Sequence, residues 1–147
     1  MIVLSIIVFF ATVIFWEFVA YVMHKYVMHG FGWFFHEDHH VTGGRKLQKN
    51  DFYTIIFASI SFLAIFNGLQ FRLILLASFG FGVALYGVGY FLFHDIMFHR
   101  RLKFIKFRPK NPYLVRIINA HRTHHSTTTK LHAKSFGFLY APKKYNS

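Results

Sequence analysis

Histidine is the residue type whose number and spacing in this sequence indicate chemistry. The chain of 147 residues contains 11 histidines and no cysteine. Ten histidines repeat one pattern: a pair with four residues between its members, a gap, and then a histidine followed after two residues by two adjacent histidines. We interpret these ten as metal ligands, and they are His24, His29, His36, His39, His40, His94, His99, His121, His124 and His125. The remaining His132 has no partner at this spacing and is predicted to lie at the surface.

The number of imidazoles indicates a site for two metal ions. A tetrahedral zinc ion takes four ligands, so ten ligands suit two metal ions with about five nitrogens each. Because imidazole binds iron, zinc, copper and nickel, the ligand type does not identify the metal. The lack of cysteine excludes disulfides, iron–sulfur clusters and cysteine nucleophiles. With few acidic residues as well, the composition favours oxygen-activating iron over a structural zinc.

The spacing within each copy fits a helix only in part. Positions i, i+3 and i+4 share one helix face, so His36, His39 and His40 are predicted to point the same way. The same holds for the second triplet, His121, His124 and His125. The members of each pair, in contrast, are about 140° apart around an ideal helix. Either the two bind different metals or the helix is distorted there. Asn111 as cap and Pro112 at the first turn predict where the helix of the second triplet begins.

Acidic residues near the motifs are candidates to orient the histidines by hydrogen bonding or to offset the metal charge. Asp95 directly follows His94, whereas Glu37 and Asp38 lie inside the first triplet, where a solvated helix face is the alternative. Glu17 lies two helical turns before the first histidine, within an apolar stretch. It is predicted to bond a ligand histidine or another helix, and a merely packed carboxyl is the alternative.

Three apolar stretches must position these groups. Hydrophobic residues make up 54 % of the chain, and residues 2–23, 52–68 and 72–93 are candidates to cross about 30 Å of hydrocarbon as helices. The prediction is an all-α integral membrane protein, one domain over 1–147, with about three transmembrane helices and with cytoplasmic or interfacial helices that carry the histidines. Glycines in the third stretch favour close helix packing. Trp16 and Trp33 are candidate interfacial anchors.

The basic residues predict the orientation. Only Arg72 of the 17 lysines and arginines lies in the loop between the second and third stretches. Three crossings place all the others on one side, and the positive-inside rule makes that side the cytoplasm. The alternation of basic and apolar residues over 100–110 favours a segment on anionic lipid over nucleic-acid binding. An acidic electron carrier could also dock there.

The order of the histidine motifs resembles that of the membrane fatty acid hydroxylase/sterol desaturase superfamily, and most closely its bacterial carotenoid hydroxylases. Further segments similar to the signatures of those enzymes are 24–30, 43–45, 50–51, 94–95, 120–125 and 135–142. The resemblance covers roughly residues 10–142. It departs at Glu37 and Asp38, where less acidic residues are expected.

The resemblance implies a non-haem di-iron centre held by the histidine motifs, O2 as co-substrate and a reduced ferredoxin-type electron donor. Zinc or nickel is expected to replace iron in some purified samples. The resemblance also implies hydroxylation at C3 of the β-ionone rings of β-carotene, giving β-cryptoxanthin and then zeaxanthin. It places the enzyme in the bacterial cytoplasmic membrane. An apolar substrate is expected to approach through the bilayer. Tyr90 and the phenylalanines beside the motifs could line a ring pocket or simply pack: Phe34, Phe35, Phe91 and Phe93.

Two other functions are considered. A fatty acid or sterol hydroxylase or desaturase would keep the metal and change the substrate, and residues 135–142 argue against it by resemblance only. A non-catalytic membrane protein that senses or handles metal would use the histidines only to bind the metal. Transport would require more ionisable residues within the apolar stretches than Glu17.

Overall fold

The computed structural model describes residues 1–41, 47–102, 104–105 and 109–146. Within these ranges the chain is helical and has no β-strand, which confirms the predicted all-α fold. The α-helices are α1 (Ile2–Val22), α2 (Trp33–His36), α3 (Asp51–Gln70), α4 (Ile74–Tyr90) and α5 (Pro112–His125). Parts of two predicted features lie outside the described residues, namely the 43–45 signature and Lys103, Lys106 and Arg108 of the basic segment.

Two of the helices continue as π-helices. π1 (Met23–Phe31) follows α1 and π2 (Phe91–Phe98) follows α4. Three helices are long and apolar enough to cross a membrane, and they are Ile2–Phe31, Asp51–Gln70 and Ile74–Phe98. The helices extend past residues 23 and 93, where the first and third spans are predicted to end, because the chain continues in helical conformation through both histidine pairs. The bounds of the spans themselves stay predictions.

Residues 1–19 and 51–89 form a compact first unit. Its outer faces carry exposed apolar side chains such as Ile14, 76 % exposed, and Ile55, 62 % exposed. Apolar exposure of this extent fits lipid rather than water. Trp16 is only 8 % exposed and packs edge-on against Phe57 and Phe79. The prediction that Trp16 is an interfacial anchor was wrong, because its ring fills space between helices.

Two glycines of α4 allow the close packing that the sequence predicts. A Cβ atom on Gly80 would lie 2.8 Å from the main-chain nitrogen of Ile65. One on Gly82 would lie 2.8 Å from the main-chain oxygen of Phe9. Ser61 Oγ also donates to the Gly80 carbonyl at 2.9 Å. A side chain at either glycine would therefore force the helices apart.

Residues 20–50 and 90–147 form the second unit. α5 begins as predicted, because the Asn111 side chain accepts hydrogen bonds from the main-chain N–H groups of Tyr113 and Leu114. Its apolar face buries Ile117 and Ala120 against residues that include Met97 and Ala141. This packing holds the helix that carries the second histidine triplet. That the whole chain is one domain stays a prediction.

Candidate metal centre

Nine of the ten patterned histidines form two clusters in the second unit. Within each cluster, one ring nitrogen from every member lies within 4.8 Å of those of the other members. The first cluster comprises His24, His29, His36, His40 and His124. The second cluster comprises His39, His94, His99 and His121. Residues far apart in sequence are thus brought together as possible ligands for metal ions.

The tenth histidine, His125, lies between the clusters. Its ring centroid is 4.4 Å from that of His40 in the first cluster. It is 4.6 Å from His99 and 4.5 Å from His121 in the second cluster. The Nε2 atom of His125 is buried and has no hydrogen-bond partner among the described residues. In contrast, His132 is exposed and belongs to neither cluster, as predicted.

The π-helices explain why histidines five positions apart share a cluster. In a π-helix each N–H bonds the carbonyl five residues earlier, so residues at this separation lie one above the other. The His99 N–H donates to the His94 carbonyl at 3.0 Å in this way. His24 and His29 likewise both belong to the first cluster. Of the two alternatives that the spacing left open, helix distortion is therefore correct.

Each histidine triplet, in contrast, is divided between the clusters. α2 ends at His36, and a 3-10 turn over Glu37–His40 follows. His36 and His40 belong to the first cluster, whereas His39 belongs to the second. The three rings still lie near one another, with ring centroids 4.9–6.3 Å apart, so a shared face does not decide which cluster a ring belongs to. Along α5, His121 belongs to the second cluster and His124 to the first, although the helix is unbroken.

The first cluster is oriented mainly by main-chain carbonyl oxygens. His40 Nδ1 donates to the carbonyl of Thr127 at 2.8 Å, and the rings of His29, His124 and His24 bond the carbonyls of Lys130, Lys134 and Phe136, each at 3.1 Å. A carbonyl oxygen only accepts, so each Nδ1 carries the ring proton. In a neutral imidazole the Nε2 atom then has a free lone pair.

These lone pairs face one another. His29 Nε2 lies 3.2 Å from Nε2 of both His40 and His124. With the ring protons on Nδ1, no neutral ring can donate across these distances. The buried Nε2 atom of His24 also has no hydrogen-bond partner among the described residues. A cation removes the repulsion between such lone pairs, so this donor set fits a metal ion.

The second cluster is oriented by side chains. His39 Nδ1 donates to Gln48 Oε1 at 2.8 Å, and His94 Nδ1 donates to Asp95 Oδ1 at 3.1 Å. Arg101 Nη2 donates to the same Gln48 oxygen at 2.7 Å. The two clusters therefore differ: among the described residues, a carboxylate and a guanidinium take part in the hydrogen bonds around the second cluster, whereas main-chain carbonyl oxygens accept most of those around the first.

Burial keeps the rings outside the spanning helices neutral. Desolvation, followed by the neighbouring His24, lowers the pKa of His36 to about 2. Desolvation and then His40 lower the pKa of His124 to about 2 as well. For His99, burial and the charge of Arg101 lower the pKa to about 4. Neutral imidazole is the form that binds metal ions, so the rings are in the binding form at neutral pH.

Comparison with known proteins agrees with this geometry. The family model described as "Fatty acid hydroxylase" matches residues 9–141. The chain belongs to the fatty acid hydroxylase family. It is 42 % identical to "Beta-carotene hydroxylase" of Pantoea ananas over 133 residues, covering 90 % of this chain and 75 % of the relative.

Other relatives of this chain carry similar names. "Beta-carotene hydroxylase" of Paracoccus sp. strain PC1 is 38 % identical over 90 % of this chain and 81 % of its own length. "Beta-carotene 3-hydroxylase 1, chloroplastic" of Arabidopsis thaliana is 32 % identical over 87 % of this chain and 41 % of its own length. No solved structure matches the chain.

The four acidic residues that the sequence singles out differ in their contacts. Asp95 bonds a clustered histidine, as its position predicts. Glu37 forms an ion pair with Lys49, and Asp38 accepts from the main-chain N–H of the same Lys49. In the first unit, Glu17 Oε2 accepts from Tyr86 Oη at 2.8 Å, which matches the predicted bond to another helix. Roles for these acids at a metal stay predictions.

Sequence reasoning missed several residues that contact the histidines. Gln48 and Arg101 orient the second cluster, and Asn50 Oδ1 lies 2.6 Å from His36 Nδ1 in the first. Asn50 was included only as part of a family signature. Trp33 was expected to be an interfacial anchor, yet its ring lies 5.0 Å from that of His29 and 5.3 Å from that of His40.

Proposed function

We propose that this chain is a membrane-bound, O2-dependent di-iron monooxygenase that hydroxylates carotenoids. It adds hydroxyl groups at C3 of the β-ionone rings of β-carotene, giving β-cryptoxanthin and then zeaxanthin. The observation that carries the proposal is the convergence of unprotonated imidazole nitrogens into two adjacent clusters, to which helices apolar enough to span a membrane contribute His24, His29 and His94. The names of the bacterial relatives support the choice of substrate.

The first cluster would hold one iron ion, and the second cluster together with His125 would hold the other. When bound, the two ions would activate O2 for insertion of an oxygen atom into a C–H bond that has no polar neighbour. The chain itself presents the ligands in one tautomer, because their Nδ1 atoms donate to carbonyl and carboxamide oxygens. It also excludes water, since His40 is 1 % exposed and His124 is fully buried.

An apolar substrate is proposed to reach the second cluster along π2. Phe91 and Leu92 are about half exposed on this helix. Tyr90, directly before them, stacks on the His94 ring with centroids 4.3 Å apart. Lipid-facing side chains therefore adjoin a clustered histidine through one aromatic contact. A long polyene lying in the bilayer could present its terminal ring there.

Electrons are proposed to come from a reduced, acidic ferredoxin-type carrier at the cytoplasmic face of the bacterial inner membrane. Arg100 follows π2 and Arg122 lies on α5, and both are exposed. Basic groups beside the clusters would attract an acidic carrier by electrostatic steering. The distribution of lysine and arginine supports a cytoplasmic location for the clusters and the C-terminus.

Pigment analysis of β-carotene-producing cells tests the proposed function. The wild-type chain is expected to yield β-cryptoxanthin and zeaxanthin, and His94→Ala is expected to yield neither. Ser78→Ala, at a partly buried residue of the helix that leads to His94, controls for expression and should retain the products. Persistence of β-carotene with well-expressed wild type and a reduced ferredoxin would refute the carotenoid assignment. Metal content and lipid analysis of the same cells would then separate another lipid oxygenase from a metal-binding protein.

A further inference from the structure

The first cluster is bonded almost entirely by one short segment. Residues 127–136, here called the strap, follow α5 and supply four carbonyl oxygens to four of its five rings. The four rings come from both halves of the chain, at positions 24, 29, 40 and 124. The strap therefore joins elements that approach one another only in the folded protein.

Main-chain atoms, not side chains, form most contacts of the strap with the cluster. The side chains of Lys130 and Lys134 are exposed although their carbonyl oxygens are bonded to histidines. Phe136 is the exception, because its ring packs edge-on against three histidine rings with centroids 5.1–5.5 Å apart. With little apolar area to hold it, the strap depends on these hydrogen bonds for its order.

Two residues of the strap have left-handed backbone conformations. His132 has φ 70° and Ser135 has φ 62°, values that L-residues other than glycine and asparagine rarely adopt. Such conformations persist where surrounding contacts impose them, and here the hydrogen bonds to the histidines are those contacts.

We infer that the strap closes over the first cluster in response to metal binding and positions its ligands. This inference rests on the proposed metal sites. The hydrogen bonds of the strap place the ring protons on Nδ1 and so direct lone pairs at one another across 3.2 Å. A metal ion between the Nε2 atoms relieves that repulsion. Because binding linkage is reciprocal, the metal stabilises the closed strap and the closed strap strengthens metal binding.

Limited trypsin digestion of the detergent-solubilised chain tests this inference. Trypsin must bind the carbonyl group of the peptide bond that it cleaves, and the carbonyl groups of Lys130 and Lys134 are occupied by His29 and His124. With ferrous iron under argon at ten times its Kd, cleavage at both sites should slow about tenfold, because only opened chains are cut. Cleavage after Arg72, an exposed loop residue of the first unit, should keep its rate.

Two variants distinguish a local coupling from a general effect of metal. His124→Ala removes a ring of the first cluster, so iron should no longer protect Lys130 and Lys134. His94→Ala removes a ring of the second cluster whose hydrogen bonds, among the described residues, are not to the strap, and iron should still protect both sites in this variant. Metal content of each sample is measured by mass spectrometry alongside the digestion.

The outcomes are separable from those of the proposed function. Equal cleavage with and without iron, in wild-type chains shown to contain the metal, would overturn the coupling and leave the oxygenase proposal intact. The coupling would also be overturned if the two variants lost the protection of Lys130 and Lys134 by iron to the same extent. It would be overturned as well if iron slowed cleavage after Arg72 as much as cleavage in the strap. Failure of the wild-type chain to bind iron at all would instead refute the proposed metal sites.

Discussion

The side chains of Arg101 and Gln48 are joined by a hydrogen bond of 2.7 Å, from Nη2 to Oε1. The same Gln48 oxygen accepts from His39 Nδ1. Arg101 Nε lies 3.7 Å from Asp95 Oδ1, the atom that accepts from His94 Nδ1. One guanidinium therefore connects the outer hydrogen bonds of two rings that come from opposite halves of the chain.

Gln48→Leu is expected to weaken metal binding at the second cluster about 10–100-fold, the usual effect of losing such an outer partner. The leucine keeps the volume but cannot accept from His39. Binding at the first cluster should not change. Titration with Zn²⁺ against a competing chelator measures both affinities, and Gln70→Leu at the exposed end of α3 is the control. Two unchanged affinities in Gln48→Leu would contradict the positioning role.

His125→Ala is expected to reduce the metal content from two ions per chain to about one, because His125 supplies a fifth ring beside the second cluster. His132→Asn is the matched control, since asparagine tolerates its positive φ and the ring lies outside both clusters. Mass spectrometry of the purified proteins gives the stoichiometry. Two ions in His125→Ala would exclude this residue as a required ligand.

Substitutions at Ser135 test the strain in the strap. Ser135→Val should lower the Zn²⁺ affinity of the first cluster about fivefold, because a β-branched residue at positive φ costs about 1 kcal/mol. Ser135→Gly should retain the affinity, since glycine adopts this conformation freely. Thr128→Val, in the same segment without a positive φ, should have no effect. An equal response to glycine and valine would show that the conformation of residue 135 is unimportant.

Tyr86→Phe is expected to lower the free energy of unfolding by about 1–2 kcal/mol, because it removes the hydroxyl group that donates to the Glu17 carboxyl. Glu17→Gln should cost less, since its amide oxygen still accepts. Thermal unfolding in detergent measures both effects, with Tyr140→Phe at a mostly exposed ring as the control. If Tyr86→Phe matched this control, the bond would contribute nothing measurable to stability.

The absence of cysteine makes the membrane orientation directly measurable. Arg72→Cys should react with a membrane-impermeant maleimide in intact spheroplasts, because the positive-inside rule places this loop outside. Lys144→Cys should react only after the spheroplasts are opened. The wild-type chain, with no thiol, provides the zero background. The reverse pattern would place the histidines on the external face.

Much of the fold and the identity of the histidines could be predicted because the signals are local. Three apolar runs long enough to span a bilayer predict three helices, and this prediction does not depend on which other segments the runs contact. Asn111 and Pro112 predict a helix start through contacts within one turn. The repeated spacing selects ten histidines and separates His132 from them. These features depend on residue type and on distance along the chain, which the sequence states directly.

Only the tertiary structure decided how the histidines divide between the clusters and what orients them. His36 and His39 are three residues apart yet belong to different clusters, whereas His40 and His124 share one. The π-helical turns depend on hydrogen-bond register, which the spacing left open. Four of the five rings of the first cluster bond main-chain carbonyl oxygens, and every residue type has one. Residue type therefore determined which groups are candidate ligands, and long-range packing determined which of them meet.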